Sequence, residues 1–114
     1  MYRYAAKLIR VVDGDTVWMD VDLGFTVHVN ICFRLLGINS PELIGSDPAG
    51  GRAAKAHLEQ LLAQGALTLR SEKPLKTDKY GRWLADITVT RPDGTAFNAN
   101  QQMVVDGHAV ASTP

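Results

Sequence analysis

Apolar and polar residues alternate with a period of two through the first third of the chain. Val17, Met19, Val21 and Leu23 alternate with Trp18, Asp20 and Asp22; Phe25, Val27, Val29, Ile31, Phe33 and Leu35 alternate with Thr26, His28, Asn30 and Arg34. A period of two sends successive side chains to opposite faces. The pattern therefore predicts two strands, Val17 to Leu23 and Phe25 to Leu35, turning at Leu23-Gly24 with one apolar face inward. Tyr2 to Val12 predicts an earlier strand whose alternation slips near Ile9, as at a bulge.

The pattern then changes. Leu43 to Gly51 holds Gly45, Ser46, Asp47, Pro48, Gly50 and Gly51, which is loop chemistry. Over Arg52 to Gln64, Ala54, Leu58, Leu61 and Leu62 form an apolar helical stripe, and Gly65 is a natural stop. Leu67 and Leu69 predict a short strand, and Ser71 to Lys79, carrying Lys73, Pro74, Lys76 and Lys79, an exposed basic loop. Trp83 to Thr90 predicts a strand, Pro92-Asp93-Gly94 a turn, and Asn98 to Val105 a last helix with Gly107 after it. Three β segments, a helix, two β segments and a helix make a small α+β unit, mainly β. Strands so few must close or be covered to protect their edges, and a five-stranded OB-fold barrel with two helices packed on it does so economically.

Composition adds limits. A chain of 114 residues, 46% hydrophobic, suits a single domain over 1–114 with a real core. Twelve basic residues balance twelve acidic ones, which argues against a basic, non-specific coater of nucleic acid yet permits a local basic cleft. The lone Cys32 forms no internal disulfide and reads as a small buried or half-buried strand residue. Neither an apolar leader nor a membrane-length apolar run is present, so the expected location is intracellular, with secretion of a processed form left open. His28, His57 and His108 have no ligand spacing and are assigned no role.

The candidate chemistry lies in three short segments. In Asp13-Gly14-Asp15-Thr16, a tight turn is the bland reading and a metal ligand at Asp15 the functional one. An EF-hand is excluded, because position twelve counted from Asp13 is Gly24 rather than Glu. Arg34 occupies the polar phase of its strand, where it can pair with an acid or aim its planar fork at a phosphate. In Asn39-Ser40-Pro41-Glu42, Pro41 blocks continuation of the strand and holds Glu42 on a defined turn; the bland alternative is a surface glutamate. Asp78-Lys79-Tyr80-Gly81-Arg82 alone would read as a solvated charged turn.

Taken in this order, the three segments closely resemble the staphylococcal nuclease (thermonuclease) family, from about Ala5 to Ala111 and including the final segment Asn100 to Ala109. That resemblance implies an OB-fold enzyme that cleaves DNA and RNA, single strands preferred, to 5′-hydroxyl and 3′-phosphate ends with calcium as cofactor. By match, Asp15, Asn39 and the Ser40 carbonyl are implied as calcium ligands, and Glu42 as general base. Arg34 and Arg82 are implied as a clamp on the scissile phosphate, Lys79 and Tyr80 as contacts to a neighbouring phosphate, and Asp13 as an outer acid that orients the metal site. Nucleic acid is the implied partner, with no membrane and no obligate protein partner evident.

Two departures stand out. Asn39 replaces the family's second aspartate, which predicts weaker metal binding. The sequence ends at Ala111-Ser112-Thr113-Pro114 without the family's base-stacking aromatics or final helix, which predicts looser substrate binding and low stability or self-association. The runner-up function is a non-catalytic nucleic-acid-binding or scaffold domain on the same barrel. Asn39 leans that way, whereas retention of Asp15, Arg34, Glu42 and Arg82 together leans toward catalysis. An oligosaccharide- or protein-binding barrel finds little support, with only Trp18, Tyr80 and Trp83 as platforms.

Overall fold

The computed structural model describes residues 2–71 and 82–112. The elements run β1 (Tyr2–Asp13), β2 (Thr16–Asp22), β3 (His28–Leu35), β4 (Ile38–Asn39), α1 (Pro48–Leu62), β5 (Ala66–Ser71), β6 (Trp83–Thr90), β7 (Ala96–Asn98), α2 (Ala99–Val105) and β8 (Val110–Ala111). Neighbouring strands follow the order β3-β2-β1-β5-β6-β7, and a parallel pairing of β3 with β6 closes the first five into a mixed barrel. This is the OB-fold α+β architecture that the strand pattern suggested and the family resemblance implied. Closure removes the open edges that five separate short strands would expose.

Valines, leucines and Met19 of the strands fill the barrel, with Val17, Met19, Leu35, Ile87 and Val89 fully buried. Burying each such side chain contributes about 1.5–3 kcal/mol. Helix α1 adds Ala54, Leu58, Leu61 and Leu62, and α2 adds Ala99 and Met103, so both helices press their apolar stripes on one continuous core. The predicted slip at Ile9 is real: the β1–β2 register shifts between Leu8 and Arg10, leaving Ile9 exposed.

Three boundaries differ from expectation. Helix α1 begins at Pro48 rather than Arg52, because the Asp47 carboxylate caps it by accepting the Gly50 N–H at 3.0 Å, with Pro48 in the first turn. Here the cap outweighs the low helix propensity of Gly50 and Gly51. The short pairings β4–β8 and β6–β7 were not foreseen, since two or three residues carry too little periodicity to signal a strand. The β2–β3 connection is longer than a Leu23-Gly24 turn: the strands part after the pair Asp22–His28, and Leu23, Phe25 and Val27 are exposed instead of facing inward. The alternation continues past the end of the barrel, where no core remains to receive it.

Asn100 is a buried polar residue whose place the sequence did not announce. Its Nδ2 donates to the carbonyls of Leu36 and Ala85, each at 2.9 Å, and its Oδ1 accepts from the Ile87 N–H at 3.1 Å. It thereby ties the chain beyond β3 to β6 at the closing seam of the barrel. His57 of α1 and His108 beyond α2 also meet, stacked with ring centroids 4.3 Å apart, and His57 Nε2 lies 2.6 Å from the Asp106 carboxylate. That hydrogen bond holds the Asp106 carboxyl below the usual carboxylate range.

Candidate functional site

The site forms where β2, β3 and β6 lie side by side at one end of the barrel. Thr16 at the start of β2 is paired with Arg34 on β3, and the parallel β3–β6 register sets Arg34 against Leu84 and Phe33 against Trp83. Arg82 directly precedes β6, so strand register alone brings residues 16, 34 and 82 together from distant parts of the sequence. The main chain reinforces this, with Leu35 N–H donating to the Asp15 carbonyl at 2.7 Å.

Asp15 is the hub. It is 7% exposed, and both carboxylate oxygens are engaged. Oδ1 accepts from the Thr16 hydroxyl at 3.0 Å, while Oδ2 accepts from the Ser40 N–H at 3.1 Å and lies 3.4 Å from Arg34 Nη2. A buried carboxylate requires such partners to offset lost hydration. Arg34 also donates through Nη1 to the Ile38 carbonyl at 3.2 Å and through Nη2 to Asn39 Oδ1. Arg82 Nη1 donates to Thr16 Oγ1 at 3.3 Å. Asp15 and Thr16 thus link two guanidiniums, giving a cluster with one carboxylate and two cations that attracts an oxyanion.

The segment that follows β3 is held from three sides. Gly14 allows close packing of the β1–β2 turn, since a Cβ there would come within 2.6 Å of Ala54 and 2.7 Å of the Ser40 hydroxyl. Asn39 Nδ2 donates to the Ser112 hydroxyl at 3.1 Å, and Ser112 N–H donates to the Gly37 carbonyl at 2.8 Å, so the chain around β8 steadies Asn39. Asp13 Oδ1 accepts from the Leu43 N–H at 3.4 Å, next to Glu42. The Glu42 carbonyl packs on α1 at Gly51, where a Cβ would stand 2.2 Å from its oxygen. The Glu42 side chain itself is exposed, and among the described residues nothing hydrogen-bonds its carboxylate.

The structure therefore gathers Asp15, Arg34, Asn39, Ser40 and Arg82 into one contact network, with Glu42 on the adjoining loop and Asp13, at the end of β1, tied to that loop through the Leu43 N–H. Asp78, Lys79, Tyr80 and Gly81 lie outside the described residues. Thr16 is the site residue that sequence reading passed over. Its signal was available, because a hydroxyl beside Asp15 and across from Arg34 sits in register with both.

The donors suit a hard cation in kind: a carboxylate, an amide oxygen and a main-chain carbonyl are all oxygen ligands. They suit it less well in charge. Only Asp15 of the three is an acidic side chain, and Arg34 already occupies its oxygen and that of Asn39. Among the described residues no group of three or more His, Cys, Asp or Glu side chains is placed to hold a metal.

A family model described as "Staphylococcal nuclease homologue" matches residues 32–113, which include Arg34, Asn39, Glu42 and Arg82. The chain belongs to the staphylococcal nuclease homologue family. An uncharacterized protein of Methanocaldococcus jannaschii is 31% identical to it over 127 aligned positions, covering 93% of this chain. The chain spans 58% of that relative's length. Membership in the staphylococcal nuclease homologue family supports a nuclease-like or nucleic-acid-related function. Among the described residues no helix is long and apolar enough to cross a membrane.

Proposed function

We propose that this chain is a calcium-dependent nuclease that hydrolyses phosphodiester bonds of DNA and RNA, preferring single strands, to 5′-hydroxyl and 3′-phosphate ends. The observation that carries this reading is the convergence of Arg34 and Arg82 on the Asp15–Thr16 pair, beside a loop that leaves the Glu42 carboxylate open.

Each residue has a definite task in this reading. Arg34 and Arg82 bind the scissile phosphate and neutralise the charge that grows on its oxygens as a fifth ligand approaches phosphorus. Glu42 takes a proton from the attacking water, whose oxygen bonds to phosphorus while the bond to the 5′-oxygen breaks. The 5′-oxygen leaves with the electron pair and is protonated by solvent. Asp13 fixes the turn that carries Glu42. Lys79 and Tyr80 contact a neighbouring phosphate, as the family resemblance implies. Asp15, Asn39 and the Ser40 carbonyl would hold calcium, which when bound polarises a phosphoryl oxygen and makes water more acidic.

Asn39 and its bond to Arg34 favour one alternative, a domain that binds nucleic acid without cutting it. A single experiment addresses both, combining calcium titration with single-strand DNA cleavage, with and without chelator, for the wild type and Asn39→Asp. Hydrolysis is expected only with calcium, and Asn39→Asp is expected to bind calcium about tenfold more tightly through its added negative charge. Unchanged calcium affinity in Asn39→Asp would remove Asn39 from the metal site. Binding of DNA without cleavage by the wild type at millimolar calcium would establish the alternative.

A further inference from the structure

The loop between β2 and β3 carries an unusual apolar tip. Phe25 is 98% exposed, flanked by Leu23 at 46% and Val27 at 52%. Three successive residues, Gly24, Phe25 and Thr26, have positive φ values of 84°, 55° and 65°. For a β-branched or aromatic residue this backbone is disfavoured, and the surrounding structure must hold it. It does: Leu23 N–H donates to the Val27 carbonyl and Val27 N–H to the Gly24 carbonyl, both at 2.9 Å, while Asp22 Oδ1 accepts from the Gly24 N–H at 2.8 Å. The tip is therefore a defined shape that presents Phe25 to solvent.

Its surroundings argue against nucleic acid as the occupant. The tip lies at the far end of the hairpin from the Thr16–Arg34 pair, six residues along the strand or about 20 Å away. Asp22 leads into the tip and would repel phosphates, and Asp20 holds the neighbouring His28 ring at 3.1 Å. A protein surface fits better, and one adjoins the tip on the same chain. A groove of about 400 Å³ has an apolar floor of Ala6, Leu8, Leu62 and Leu67, with Lys7 and Asp22 among its lining residues. Asp22 belongs to both features, ending the strand that leads to the tip and lining the groove.

We propose that the tip inserts into this groove on a second copy of the chain, forming a two-fold dimer. A two-fold axis places each tip over the other copy's groove, so one contact covers both apolar features. Asp20 in the lining is already paired with His28 of the same chain at 3.1 Å, which leaves the opposite charges of Lys7 and Asp22 to meet across such an axis. An aromatic side chain buries roughly 150–250 Å². Two copies of Phe25, with Leu23, Val27 and the groove walls they cover, approach the roughly 1,200 Å² lower bound of specific interfaces. A contact of this size belongs with weak, reversible associations. The proposal does not rest on the nuclease reading.

Sedimentation equilibrium of the full chain from micromolar to millimolar concentration tests it, with Phe25→Asn and Ala66→Arg alongside. Ala66 is exposed and lines the groove, so an arginine there fills it. The wild type is expected to dimerise, and each variant to weaken dimerisation at least about 30-fold. Phe25→Asn is expected to keep or raise the melting temperature, because Asn accepts positive φ more readily than Phe. A wild type that stays monomeric throughout, or dimerisation unchanged in either variant, overturns the proposal. So does loss of single-strand DNA affinity in Phe25→Asn without a change in mass, which would assign Phe25 to base stacking.

Discussion

Arg34→Lys is expected to slow phosphodiester hydrolysis by about 10²–10³-fold, the usual effect of losing one preorganised donor to a developing oxyanion. Lysine keeps the charge but not the planar fork that reaches the Ile38 carbonyl, Asn39 Oδ1 and Asp15 Oδ2 from one side chain. A single ammonium gathers its three donors on one nitrogen, so it cannot span these partners and also address a phosphate in bidentate fashion. Single-turnover cleavage rates, with far-UV circular dichroism to confirm the fold, check this. A rate within about threefold of wild type would place Arg34 in the fold alone, as the ion-pair partner of buried Asp15.

The second large effect concerns stability. Asn100→Leu keeps the branched shape of the side chain but leaves the Leu36 carbonyl and the Ile87 N–H without their partner, while the Ala85 carbonyl retains the Leu36 N–H. Each orphaned buried group costs about 1–3 kcal/mol, so a loss of about 3 kcal/mol is expected. For a chain of this size that lowers the melting temperature by roughly 10–15 °C. Calorimetry or a thermal melt measures it, and a fall below about 3 °C would mean that water replaces the amide at the seam.

The sequence disclosed the strands because β2 and β3 alternate cleanly and α1 carries a regular apolar stripe, and the family resemblance supplied their closure into a barrel. It disclosed less where structure depends on distant partners. The β4–β8 pairing rests on residues 38–39 and 110–111, which propensity alone cannot join. Phe25 and Val27 continue the alternation of β3, yet lie beyond the barrel, where periodicity carries no information about what is available to pack against. Asn100 looks like any polar residue at the start of a helix, and only the closing seam makes it indispensable.

The candidate site divides in the same way. The residue types of Asp15, Arg34 and Arg82 and the place of Arg34 on a strand were legible, and the β2–β3–β6 register brings the three together. What the sequence did not convey is that Arg34 rests on Asn39 and Asp15, the very oxygens expected to face a cation. It also did not convey that Asp13 holds the Leu43 N–H and so the turn bearing Glu42, a tie made across 30 residues.

The central claim is that water-mediated hydrolysis occurs here with Glu42 as the base. Its most direct test is the rate of calcium-dependent cleavage of single-stranded DNA by wild type and Glu42→Gln side by side. Glu42 is exposed and among the described residues its carboxylate joins no hydrogen bond or ion pair, so the amide removes basicity while leaving the fold's polar contacts in place. A fall of about 10²–10⁴-fold with DNA binding preserved is the predicted result. Equal rates in the two proteins would contradict the assignment of Glu42 as base and the mechanism built on it.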